Sequence, residues 1–210
     1  MAEAFGLKAP EVEPCPNITP GQLAVVMLRD PETGKSSFQS LSWGLVPCWA
    51  RDKKNASRAI NARAETVAEK PTFRASFRHR RCLVPASGFY EWKREGKVRI
   101  PYFCAPAQPD APLVLAGLWE DWTDGTECLR SFAILTTEAN TLMRPIPDRM
   151  PVILPEAAWA RWMDQAVQRR EEVAYMLCPA EDGFLQSRAF GPVSGGVADS
   201  GSERHSQVVV

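Results

Sequence analysis

Between Leu23 and Leu154 the chain keeps to one pattern: short apolar runs, each closed off by Gly, Pro or Asp. Leu23–Leu28, Phe38–Leu45, Arg80–Trp92, Val98–Cys104, Leu113–Leu118, Ser131–Thr136 and Pro151–Leu154 have the length and the β-branched or aromatic content of strands. Asp30–Gly34, Arg94–Lys97 and Asp124–Glu127 supply turns, the second of them a hairpin. Helical signals are few and short. They are Pro71–Phe77, the stripe Trp159, Trp162, Met163 and Ala166 behind Pro155, and Glu171–Leu177. Many strands, few helices and several hairpins predict an α+β fold, a single domain with an antiparallel, barrel-like β core flanked by short helices. The domain is predicted over residues 1–195, with a polar, Gly/Ser-rich flexible tail at 196–210.

At 210 residues the chain can bury a proper core. It has no run of 18 apolar residues, so no membrane-spanning helix is predicted. Its start, Met1-Ala-Glu-Ala-Phe-Gly-Leu7, lacks the basic region and apolar core of a secretory signal, which predicts a cytoplasmic protein. The formal net charge is zero, which argues against an overall basic coat for nucleic acid but leaves room for a local basic face. Six cysteines without a C-x-x-C pair and two histidines predict reduced thiols and no metal site, and no cofactor is implied.

Glu91 lies between Tyr90 and Trp92 at the end of a strand-like run. A carboxylate among aromatic residues either faces out from a half-buried strand or is held there for proton chemistry. The residues alone leave both readings open.

Four segments, in this order, resemble the SRAP family (SOS-response-associated peptidases, or abasic-site processing proteins). They are Trp43-Gly-Leu-Val-Pro-Cys-Trp-Ala50, Ile60-Asn-Ala-Arg-Ala-Glu-Thr66, Arg80–Trp92 and Asp148-Arg-Met-Pro-Val-Ile-Leu154. Pro16–Pro20, Pro101–Phe103 and Ala116–Glu120 match more weakly. The resemblance implies a monomer that binds single-stranded DNA at abasic sites in a DNA-damage or SOS setting, cytoplasmic and associated with the nucleoid when bound. It also implies a thiazolidine DNA–protein crosslink through an N-terminal cysteine, with an associated autopeptidase (hydrolase) activity. Carried over by position, Asn61 and Glu91 are catalytic, the amide holding the sugar and the carboxyl moving protons. Arg63 and Arg149 become phosphate contacts, and Trp43, Leu45, Pro47 and Trp49 become apolar surface for unstacked bases. Arg74, Arg78, His79, Arg80 and Arg81 extend a basic track. Each has a plainer alternative: a cap for Asn61, ion pairs for Arg63 and Arg149, core for the tryptophans, a solvated face for the basic run.

The sequence departs from the family pattern in two places. Family chains begin Met-Cys-Gly-Arg, and this one begins Met1-Ala2-Glu3. Ala2–Leu7 reads as the tail of a helix, so a first strand and part of the first helix are expected to be missing. Cys15 offers no substitute, because thiazolidine formation needs amine and thiol on one residue. Pro147 also stands where the family has a histidine, and proline neither ionises nor donates a hydrogen bond. Membership therefore implies an enzyme, whereas these losses suggest the alternative of a non-catalytic member that only binds single-stranded DNA.

Overall fold

The computed structural model describes residues 1–11, 15, 17–53, 59–189 and 207–209. Met1–Leu7 contains a single 3-10 turn, Glu3–Phe5, closed by Gly6 in the left-handed region. The first hairpin pairs β1 (Leu23–Arg29) with β2 (Ser36–Trp43) along their full length. Its turn is built by the Asp30 carboxylate, which accepts from the Thr33 and Glu32 amides at 2.7 and 2.9 Å. A short strand β3 (Asn61–Arg63) and helix α1 (Arg74–His79) precede β4 (Arg81–Ala86). β5 (Gly88–Glu95) and β6 (Val98–Pro106) form the second hairpin. The long pair β7 (Leu113–Thr123) and β8 (Cys128–Glu138) follows, then β9 (Arg149–Pro151) and α2 (Glu156–Met163). β10 (Leu185–Ala189) and β11 (Gln207–Val209) complete the order.

The strands divide into two sheets. In the first, β2, β1, β4, β7 and β8 are successive neighbours, and a parallel β2–β8 pairing at Ser42↔Ser131 and Trp43↔Phe132 returns β8 to β2. That closes a five-stranded barrel, with β3 and β9 also paired to β8. In the second sheet the order is β10-β6-β5-β11. The expected antiparallel, barrel-like core is present, with parallel pairings of β2 and of β3 to β8 that strand patterning could not show.

Alternation sorts the barrel side chains into two layers. Val26, Leu28, Leu41, Trp43, Cys82, Val84, Leu115, Trp119, Phe132 and Ile134, drawn from all five strands, form one cluster with Phe89 and Cys104 of the second sheet. The alternate residues Met27, Leu83, Ala116, Leu118, Ala133 and Leu135 pack outside against Trp159, Trp162 and Met163 of α2. The Trp stripe of α2 is thus core, as its helical spacing predicts, and Pro155 sits at the N-cap position.

Four expected elements differ. Pro151–Leu154 is not a strand: β9 ends at Pro151, and beyond it only Ile153 bridges, to Leu115. Arg80–Trp92 is not one strand: β4 belongs to the barrel, and after Ser87 the chain enters the second sheet as β5. The break falls where a buried glycine is needed, because a Cβ on Gly88 would lie 2.3 Å from the Phe103 ring. Leu113–Leu118 instead continues to Thr123, because Trp119, Glu120 and Trp122 are also buried in the ladder. Glu171–Leu177 forms two 3-10 turns, Arg170–Glu172 and Ala174–Met176, instead of a helix. Of the predicted tail, Gln207–Val209 pairs with Gly88–Tyr90 as β11, and the rest lies outside the described residues. So do residues 12–14 and 16 of the lead-in and 54–58 of the polar loop.

Candidate functional site

Asn61 opens β3, half-buried, with its backbone set beside Ile134 of β8. The preceding residue fixes its approach: Ile60 is buried, and its carbonyl accepts from Trp43 Nε1 and the Ile134 amide, both at 3.0 Å. Glu91 lies on β5, directly across from Tyr102 on β6. Phe89 and Cys104, two positions nearer the barrel on the same face, are fully buried, so the half-buried Glu91 stands at the rim of the core. Pro147 lies in the turn segment 140–148, which is pinned below that rim. Cys104 Sγ meets Met143 Sδ at 3.6 Å, the Met143 amide donates to Asn140 Oδ1 at 3.0 Å, and the Ala139 amide donates to the Asp148 carbonyl. Ile60, Phe89, Cys104, Ala139 and Met143 all belong to the barrel's interior cluster. Asn61, Glu91 and the Pro147 turn are therefore each anchored on that one core.

Cys104 is the thiol nearest this chemistry, and it is unsuited to attack. Burial, with the Glu91 charge adding to it, pushes its pKa up to about 12, so it carries no thiolate at neutral pH. Cys15 is half-buried against the same cluster, and its thiol donates to the Asn17 carbonyl.

The arginines separate into distinct roles. Arg63 is exposed on β3. Arg149 is half-buried: its Nη2 donates to both Glu65 carboxylate oxygens, at 3.1 and 2.8 Å, and to the Thr136 carbonyl at 2.7 Å. Partial burial would raise the Glu65 pKa, but the Arg149 hydrogen bond and the charges of Arg149 and Arg63 outweigh it and hold the carboxyl below its usual range. Arg74, Arg78 and His79 are exposed on α1, and Arg80 is half-buried beside them. Burial and the charges of Arg80, Arg78 and Arg81 depress the His79 pKa, which favours the neutral ring.

Three residues expected to face DNA, Trp43, Leu45 and Arg81, are interior instead. Trp43 is 1% exposed, stacked at 6.2 Å on Phe132 within the barrel. Arg81 is 5% exposed, donating to the carbonyls of Phe77, Trp162 and Asp164. Their sequence motifs are present, but their side chains point to the core. Leu45 is likewise buried. Trp49 is the reverse, 63% exposed on a loop whose ends are fixed. The Val46 amide donates to Ser131 Oγ at 2.9 Å, and Trp122 Nε1 donates to the Ala50 carbonyl at 2.8 Å. A large aromatic side chain held out on a fixed loop is suited to stacking on a base.

Two groups near the site carry no role in the motif reading. Tyr102 faces Glu91 across the hairpin, a neighbour that strand register alone would reveal. Asn17, in the Pro16–Pro20 segment, buries an Oδ1 with no donor among the described residues. Among the described residues no group of three or more His, Cys, Asp or Glu side chains is placed to hold a metal, and no helix is long and apolar enough to cross a membrane.

The buried carboxylate at the base of the basic cluster is Glu120, 2% exposed. Burial raises its pKa, opposed by Arg80 at 3.3 Å, by Ser76 Oγ at 3.0 Å and by the Asp121 amide. A carboxyl whose folded pKa lies above its unfolded one binds an extra proton in the folded state. Its contribution to stability therefore falls as pH rises from the ordinary glutamate range through the raised value. Glu120→Gln is expected to flatten that fall, seen as a smaller loss of unfolding free energy than in the parent as pH rises above the ordinary glutamate range. An unchanged pH profile would show that Glu120 titrates normally.

This barrel with its second sheet, and the four ordered motifs on it, define a family. The profile described as SOS response associated peptidase (SRAP) matches residues 1–199, and the chain belongs to that family. It is 38% identical over 171 residues to the abasic site processing protein YoaM of Bacillus subtilis, an alignment covering 80% of this chain and 74% of the relative. It is 30% identical over 177 residues to the abasic site processing protein HMCES of Xenopus tropicalis, covering 73% of this chain and 53% of that longer protein. A crystal structure of a protein from Bacteroides thetaiotaomicron superposes with a TM-score of 0.71 at 29% identity, covering 81% of this chain and 75% of that one. Another, from Bordetella bronchiseptica, gives 0.74 at 26% identity, covering 91% and 96%.

Proposed function

We propose that this protein recognises abasic sites in single-stranded DNA through Asn61 and Glu91. The observation that carries the reading is the family match over residues 1–199, whose named relatives are abasic site processing proteins. In this reading the Asn61 amide holds the opened sugar, and the Glu91 carboxyl moves its protons beside the Tyr102 phenol. Arg63 contacts a flanking phosphate directly, and Trp49 stacks on a base next to the lesion. Arg74 and Arg78 extend the track, while Arg149 serves by orienting Glu65 and β3. The protein acts as a monomer, in the cytoplasm and on the nucleoid when bound.

Thiazolidine capture through an N-terminal cysteine, as in the family, is the activity proposed for the protein. Position 147 is proline, which supplies no imidazole, and this favours binding without covalent capture as the second reading. In both readings the protein is expected to retard abasic single-stranded DNA on a native gel and to prefer it over an intact strand. Arg63→Ala is expected to weaken the complex and lower its salt dependence by about 0.7. On a denaturing gel a polypeptide made to start Met1-Ala2 is expected to give no heat-resistant crosslink, because it carries no N-terminal thiol. A stoichiometric crosslink from it would refute the role given to the N-terminal cysteine, and equal affinity for abasic and intact strands would refute the roles given to Asn61 and Glu91. In a chain extended to begin with the family's cysteine head, crosslinking is expected and Pro147→His should speed its reversal. An unchanged reversal rate would remove the role given to position 147.

A further inference from the structure

The β5–β6 hairpin has two faces, and Glu91 lies on only one of them. Phe89, Glu91 and Lys93 of β5 share a face with Cys104, Tyr102 and Ile100 of β6, and Phe89 and Cys104 turn that face into the core. Tyr90, Trp92 and Arg94, with Phe103, Pro101 and Arg99 opposite them, occupy the other face. The Phe103 ring lies over Gly88, and Tyr90 tilts against it with ring centroids 5.1 Å apart. Arg99 is placed over Trp92, 5.6 Å from the ring centroid. Across β6, Arg188 of β10 pairs with Phe103 and is exposed.

This outward face therefore carries three half-buried aromatic rings bordered by three exposed arginines. None of Arg94, Arg99 and Arg188 has an acidic partner among the described residues. The one acidic side chain in the hairpin turn, Glu95, is taken by Lys93 on the other face at 2.7 Å. Arg94 and Arg99 stand directly opposite each other, a cross-strand pairing of like charges that costs stability unless an anion lies between them. Sheets that present aromatic rings with flanking cations bind unstacked bases on the rings and phosphates on the cations, typically two or three bases per sheet. From Tyr90 to Arg94 the platform runs about 13 Å at the usual strand rise, and from β5 to β10 it is about 10 Å wide.

We infer that the outer face of the β5–β6–β10 sheet is a second surface for unmodified single-stranded nucleic acid, with Tyr90, Trp92 and Phe103 receiving bases and Arg94, Arg99 and Arg188 receiving phosphates. The inference does not rest on the abasic-site reading, because it concerns the opposite face of the hairpin and a strand without a lesion. An acidic peptide would satisfy the arginines but would leave the aromatic row unused.

The test uses the full chain with fluorescent dT10 and rU10, both free of abasic sites, in 50–200 mM salt. The parent is expected to bind. Arg94→Ser/Arg99→Ser/Arg188→Ser, all at exposed positions, is expected to weaken binding at least tenfold and to lower the slope of log affinity against log salt by about 2, at about 0.7 for each lost phosphate contact. Trp92→Ala is expected to weaken binding about tenfold through lost stacking. Should that variant fail to fold, the arginine variant decides alone. Equal binding of dT10 and rU10 supports a surface that reads only bases and phosphates, and a marked preference assigns it to DNA or to RNA. The inference is overturned if the arginine variant keeps the parent's affinity and salt slope, or if polyglutamate competes as well as dT10.

Discussion

Arg81→Ala is expected to lower the unfolding free energy by about 3–5 kcal/mol, a drop of about 10 °C in thermal midpoint for a chain of this size. The guanidinium is buried where β4, α1 and α2 meet. Its Nε donates to the Trp162 carbonyl, Nη1 to Phe77 and Nη2 to Asp164. Those carbonyls end two helices, where backbone acceptors have no partner within the helix. The charge also lies over the rings of Trp162 and Phe77, at 5.3 and 5.9 Å. Burial brings the Arg81 pKa down to about 10, with the Asp164 charge opposing it, so the group stays protonated at neutral pH. Truncation removes three bonds at once and leaves three acceptors in a dry site. Arg81→Lys should recover only part of the loss, because one ammonium cannot reach three carbonyls in fork geometry. Denaturant unfolding of the two variants checks this, and a loss below about 1 kcal/mol for alanine would contradict the account.

Gly117→Ala is expected to cost about 2–3 kcal/mol although it adds one methyl group. Gly117 is in β7 between Cys82 and Ile134 of the flanking strands. A Cβ there would lie 2.6 Å from Cys82 Sγ and 2.9 Å from Val84 Cγ2, both fully enclosed in the barrel. Neither neighbour can retreat, because interiors pack near crystal density. Cys82→Ala makes room, so the double variant should be more stable than the sum of the single losses predicts. Strict additivity in that cycle would place the strain elsewhere.

The fold was legible where period and punctuation agreed. Alternating runs at Leu23–Leu28 and Ser131–Thr136, and the Asp30 and Asp124 turns, gave their strands and hairpins correctly. The break inside Arg80–Trp92 was not legible, because both halves alternate properly and only the close approach of Phe103 to Gly88 divides them. Residue type also could not separate exposed from buried members of one motif. Trp43 and Trp49 lie six positions apart in one segment, yet one stacks in the barrel and the other stands in solvent. Arg80 and Arg81 are adjacent, but Arg80 ends α1 whereas Arg81 opens β4 and is covered by the ends of α1 and α2. Glu91 was singled out because a carboxylate between aromatics is costly, and the structure sets it at the core rim. The outward row of Tyr90, Trp92 and Phe103 is not legible in the sequence because it exists only when two strands are laid in register.

The parallel seam between β2 and β8 has a kinetic consequence. It is held by two residue pairs and the Val46–Ser131 bond, whose ends are 85 positions apart in the chain. The hairpins β1–β2 and β7–β8 join near neighbours and can form early, whereas the seam must wait until β4 has been placed between them. Loop closure over that span carries an entropic cost before any contact repays it, so the seam is the natural last step of folding. Its amides at Gly44 and Val46, which donate to the Phe132 carbonyl and Ser131 Oγ, should then exchange with solvent sooner than those of the β7–β8 ladder, because the barrel opens along the line where it finished closing.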